Sequence, residues 1–169
     1  LHWGENYVVV FFDPASEVGS LLSMGRWVIQ PRLWRNMSYV ALPNDRVYTS
    51  KNYGLGSDPR VPHSGVFQLE VLEPGRKLRY VFDGPADERT LTDINTTGHQ
   101  IGRNVLMKFD LVFESDAPIW DMHAKLESDH NIEKAAANFN SPEGHIEQNG
   151  YVSGTIHLAN GEQYNVRQA

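Results

Sequence analysis

The stretch "NVLMKFDLVFE", residues 104–114, places Val105, Met107, Phe109, Leu111 and Phe113 at every second position, with Lys108 and Asp110 between them. Only extended backbone turns successive side chains to opposite faces, so this period marks a strand with one buried and one wetted face. A helix would need its apolar residues three and four apart. The same alternation recurs upstream in "GVFQLEVLEPGRKLRYVF", residues 65–82. There Phe67, Leu69 and Val71 precede "EPGR", and Leu78, Tyr80 and Phe82 follow it. Proline and glycine supply the dihedrals of a tight reversal, so the segment predicts a hairpin. All these apolar positions are expected to point inward in one layer.

Working outward, strands are expected nearly everywhere. "NYVVVFFDP" (6–14) is β-branched and aromatic, and "GSLLSMGRWVIQP" (19–31) and "LWRNMSYVALP" (33–43) follow it. "NDR" reads as a turn into "VYTSKNY", and a last hairpin turns at "ANGEQ" with Val152, Ile156 and Leu158 on one face. Helix is scarce. "NIEKAAANF" (131–139) has length for about two turns, which is marginal without tertiary support. The non-periodic segment 83–102 reads as a loop over one end of the sheet. Short antiparallel strands joined by turn residues predict an all-β domain spanning 1–169, an antiparallel barrel or a strongly curved two-sheet sandwich with at most one or two short helices.

Composition narrows the chemistry. A net charge of -6 argues against a nucleic-acid partner, whose phosphates call for clustered Lys and Arg. No apolar run approaches the roughly 20 residues of a membrane helix, so no membrane span is expected. The absence of cysteine excludes disulfides and thiolate ligands and fits a cytoplasmic location. There is no phosphate-cradling glycine loop, no Gly-x-Ser-x-Gly elbow and no paired-histidine metal motif, so neither a metal nor another cofactor is expected.

Four features carry candidate chemistry. His2, Trp3 and Glu5 stand just ahead of an apolar strand. By residue statistics they are a cap and a solvated carboxylate; alternatively they edge an apolar pocket. Arg26 shares a face with Leu22 and Met24 and needs a carboxylate partner, Glu5 or Glu147, unless it faces a ligand. Asn36 and Ser38 share a face with Trp34, Val40 and Leu42, where they hydrogen-bond a seam or line a cavity. With Gly25, they lean towards a cavity. His145, Glu147 and Gln148 read first as a solvated strand end. Gln148 nonetheless falls on the apolar face, and a bulge at Asn149–Gly150 would turn Glu147 inward.

The segments "HWGENYVVVFFDP", "GSLLSMGRW" and "GHIEQNGYVSGTIHLANGEQYNV" resemble the first half of the lipocalin-like AttH and carotenoid 1,2-hydratase superfamily, to which kievitone hydratase and Diels-Alderase-type cyclases are similar. The resemblance touches both ends of the chain and covers well under half of it closely. It implies a lipocalin-like barrel, partnered by a second such domain or by another copy. It also implies a cofactor-independent hydratase, dehydratase, isomerase or cyclase acting on an apolar isoprenoid or polyketide-like ligand. By position it points to His2, Trp3, Glu5, Arg26, His145, Glu147 and Gln148.

Such chemistry needs a strong Brønsted acid near carbon, so Glu5 and Glu147 are the catalytic candidates, kept protonated by desolvation. Gln148 or His145 would position water, and Trp3, Trp27 or Tyr39 would offer π faces to a carbocation. Arg26 and Asn36 complete the expected binding set. Two other readings stay open: a non-catalytic barrel holding a hydrophobic ligand, and a carbohydrate-binding β-sandwich.

Overall fold

The computed structural model describes residues 4–27, 29–97, 102–122, 124 and 145–169. Strands β1 (Gly4–Asp13), β2 (Val18–Trp27), β3 (Leu33–Leu42) and β4 (Arg46–Leu55) form an antiparallel meander. Then come β5 (Phe67–Glu73), β6 (Lys77–Thr90), the short helix α1 (Leu91–Thr97) and β7 (Arg103–Ser115). Two short strands, β8 (Trp120–Asp121) and β9 (Ile146–Glu147), pair with each other, and β10 (Gly150–Leu158) and β11 (Gln163–Val166) close the chain. The reversals follow from residues that tolerate positive φ. Asn44 and Asp45 take φ of 65° and 61° between β3 and β4, and Gly75 takes 70° after Pro74 between β5 and β6.

The main sheet runs β1-β2-β3-β4-β6-β7-β10-β11, with β5 also on β6, and it curls into a nearly closed antiparallel barrel. Phe67, Leu69, Tyr80, Phe82, Met107, Phe109 and Leu111 are buried inside it, and Leu78, Val105 and Phe113 pack against them. Val71 departs from the expected layer and is exposed, because the β5–β6 register slips between Val71 and Glu73 where the strands splay into the turn. Phe67 stands edge-on to Phe109 at 5.6 Å and to Phe82 at 6.3 Å, while Phe82 and Phe109 stack at 5.2 Å. Such pairs add about 0.5–1.5 kcal/mol each beyond their buried area. Aromatic rings thus fill the middle of the barrel.

Segment 83–102 is not simply a loop. Its first part continues β6 to Thr90 and its next part forms α1. Gly84 and Pro85 look like breakers, yet β6 changes neighbour there: β5 pairs as far as Phe82 and β4 pairs from Asp87. The Asp83 amide donates to Val66 O on that edge, so the nitrogen of Pro85, two residues on, faces the gap where no ladder bond is lost. Gly25 lies on the opposite face from Met24 and Arg26, where a Cβ would meet Asn6 Oδ1 at 2.2 Å; it opens no interior space. The expected helix 131–139 lies outside the described residues.

Candidate functional site

Strand alternation sends Glu5 and Tyr7 of β1, Arg26 of β2 and Trp34 of β3 to the inner face at one end of the barrel. Arg26 Nε and Nη2 each lie 2.7 Å from Glu5 Oε2. The Tyr7 hydroxyl donates to Glu5 Oε1 at 2.5 Å. Arg26 Nη1 donates to Pro31 O at 2.8 Å and also to Pro59 O. Its guanidinium sits 4.5 Å from the centroid of the Trp34 ring. The Arg26 side chain is 15% exposed and that of Glu5 29%. Burial first, and the Glu5 hydrogen bond second, push the Tyr7 hydroxyl up to about 12. Of the two expected partners, Arg26 has taken Glu5. Both oxygens of that carboxylate accept hydrogen bonds, so it anchors a cation and does not stand free as a proton donor in an apolar pocket.

Glu147 lies elsewhere, and here the expectation needs correcting. It sits on β9 opposite Trp120, its side chain is 66% exposed, and His145 Nε2 is 2.9 Å from its Oε1. Water reaches it because β9 is only two residues long and belongs to a separate small sheet. No bulge turns it inward, and no described contact joins it to Glu5. Gln148 Nε2 donates to Gly75 O at 2.8 Å and to Ser115 Oγ at 3.2 Å, tying the start of β10 to the β5–β6 turn. Trp27 ends β2 opposite Gly4, and His2 and Trp3 lie outside the described residues.

Behind Trp34, the inner face of β3 carries Asn36 and Ser38, both buried. Ser64 Oγ donates to Asn36 Oδ1 at 2.6 Å, and Asn52 Nδ2 donates to Ser50 Oγ at 2.6 Å on the neighbouring strand. Trp34 Nε1, Asn36 Nδ2 and Ser38 Oγ have no hydrogen-bond partner among the described residues. Asn36 therefore serves a polar seam between β3, β4 and the loop around Ser64. Gly56 packs against the Trp34 indole, leaving 3.5 Å from an added Cβ to Nε1.

The open space lies on the other side of the sheet. A groove of about 820 Å³ runs over the outward face of β1, β2, β3, β4 and β6. Its walls include Val10 and Phe12, respectively 68% and 61% exposed, with Leu21, Met37, Tyr39 and Ala41. Glycine at position 19 makes a slot in the floor: a Cβ there would touch Phe12 Cδ2 at 3.4 Å and Ala41 Cβ at 4.0 Å. Among the described residues of the expected binding set Tyr39 belongs to this groove, and Ser38, which shares a face with Asn36, also lines it. Burial, then the charge of Asp45, raises its hydroxyl pKa above the ordinary value. A signal for the groove was present in "YVVVFF", residues 7–12, which is apolar on both faces. A strand whose second face meets only water has no need of Val8, Val10 and Phe12.

Among the described residues no group of three or more His, Asp or Glu side chains could hold a metal ion. No helix among them is long and apolar enough to cross a membrane. No protein-family model, curated protein or solved structure matches the chain.

Proposed function

We propose that this barrel is a binding module for an apolar small molecule, carried in the groove on the outer face of its meander. The observation behind this reading is the groove itself. About 820 Å³ is within the usual range of ligand sites, and its walls join apolar side chains to a few polar groups. The barrel interior offers less, because aromatic rings occupy it. The test is titration with an uncharged solvatochromic dye such as Nile red. Leucine at position 19 would fill the slot between Phe12 and Ala41 from the outer face without touching the core, so Gly19→Leu should weaken dye binding at least about tenfold. Tenfold corresponds to about 1.4 kcal/mol, within the reach of one displaced apolar contact. Equal dye binding by Gly19→Leu and the parent would overturn the reading.

A second reading takes the partly exposed Glu5–Arg26 pair beside Trp34 as the site, with Glu5 acting only once a substrate has drawn Arg26 away from it. In it, the domain is half of a cofactor-independent hydratase or cyclase for an isoprenoid or polyketide-like substrate. It would then work in the cytoplasm beside a second lipocalin-like barrel or another copy. Turnover of an isoprenoid alkene that disappears in a folded Glu5→Gln protein would support this; turnover retained by that variant would remove Glu5 from the chemistry.

A further inference from the structure

One patch inside the barrel is built of polar side chains. Across β3 and β4 the register sets Asn36 opposite Asn52 and Ser38 opposite Ser50, all on the inner face. Asn36, Ser38 and Ser50 are each over nine-tenths buried. Part of the patch satisfies itself. Ser64 Oγ donates to Asn36 Oδ1, Asn52 Nδ2 donates to Ser50 Oγ, and Ser50 Oγ donates to Pro85 O at 3.0 Å. Asn36 Nδ2 and Ser38 Oγ are left over, with no hydrogen-bond partner among the described residues. A buried donor that meets nothing has given up its bonds to solvent for no return, so such groups are rare and each calls for a partner.

Strand geometry sets the size of that partner. Directly opposed Cβ atoms stand about 5 Å apart, and alternate positions along a strand about 7 Å. The centre of the four-residue patch is therefore about 4 Å from every Cβ, one hydrogen bond beyond the polar atoms those carbons carry. Serine and asparagine also take up less of the interior than Trp34 and Tyr48, the large buried side chains nearest them on β3 and β4. The segment after β4 roofs the patch. A Cβ on Gly54 would meet the Ser64 carbonyl carbon at 2.4 Å, and Arg26 and Arg32 hold the same segment through Pro59 O and Gly56 O. Such a roof admits no organic guest. We propose that the patch binds an internal water molecule, which accepts from Asn36 Nδ2, bonds Ser38 Oγ and donates to Asn52 Oδ1. Buried water takes two to four polar partners, and these three converge on one point. The water holds the Asn36 amide in the orientation that accepts from Ser64, and so helps to fix the roof. These side chains point inward, away from the outer groove, so the water is separate from any guest there.

Magnetisation transfer from water in an isotope-labelled sample reads the site directly. The Asn36 side-chain amide protons should show NOE and ROE cross-peaks to water of opposite sign, the signature of a molecule that outstays the surface hydration layer. Ser38→Ala then decides between a watered hydroxyl and an idle one. Removing a hydroxyl that bonds nothing relieves a desolvation cost and raises the urea midpoint, whereas removing one that holds water breaks a bond and lowers it. The expected result is a lowered midpoint together with weakened Asn36 cross-peaks. Absence of those cross-peaks from the parent protein, or a midpoint that Ser38→Ala raises or leaves level, would overturn the assignment.

Discussion

Arg26 distributes its guanidinium among a carboxylate, two backbone carbonyls and an indole face, a set no smaller side chain could satisfy. Replacing it with methionine removes all four contacts and leaves Glu5, 29% exposed, without its cation. A fully buried orphan costs about 3–5 kcal/mol and a surface pair under 1, so Arg26→Met should cost about 2 kcal/mol. A urea-unfolding midpoint unchanged from the parent would contradict this. Restoring part of the loss with Glu5→Gln in the same chain would attribute it to the stranded carboxylate. Alternation alone placed Arg26 on the buried face, and a buried cation needs a partner, so the need for a carboxylate was legible from sequence. The choice of Glu5 over Glu147 was not. It depends on β1 lying beside β2 with Glu5 opposite Arg26, and pairing register is set by the whole barrel.

At the scale of the element, β10 illustrates why one strand position admits no side chain. Gly154 has φ of 144°, and a Cβ there would lie 2.1 Å from Asp110 O on β7. Positive φ and backbone contact act together, so Gly154→Ala should cost about 3 kcal/mol, read as a lowered denaturation midpoint. An alanine variant as stable as the parent would show that β10 can shift away from β7. The alternation of β7 and β10 was plain in the sequence because each has one face in the core. β6 was harder, since its Gly84-Pro85 pair reads as punctuation. What rescues it is the exchange of β5 for β4 as neighbour, a long-range event that no local window contains.

Across the whole molecule, buried tyrosines set the alkaline limit. Burial first, with Glu5 and Glu88 respectively adding to it, pushes Tyr7 and Tyr48 up to about 12, and burial raises Tyr80 as well. An unfolded chain releases these protons near 10. The folded state therefore holds more protons between these values, and stability falls as pH rises. The contribution is complete below about pH 10 and is lost as the pH passes about 12. Urea midpoints that stay level across this window would contradict the assignment. The fold class was legible at this scale because alternation counts faces. The groove was not singled out, because its residues are outward positions from five strands that become neighbours only when the sheet curls.

The two edges of that curled sheet meet lightly. Between β1 and the C-terminal segment the described residues show no ladder, only the Arg167 amide donating to Asp13 Oδ2 at 3.0 Å. The sheet's backbone ladder is that of a split ring, and side chains close it: Val9 and Phe11 of β1 and Val166 of β11 belong to one buried core, and Arg46 meets Glu162 at 2.9 Å. The outer groove begins on β1, one side of that split. Its floor is paired throughout from β1 to β6, so a guest there meets a surface of fixed width while the seam beside it is joined by side chains alone.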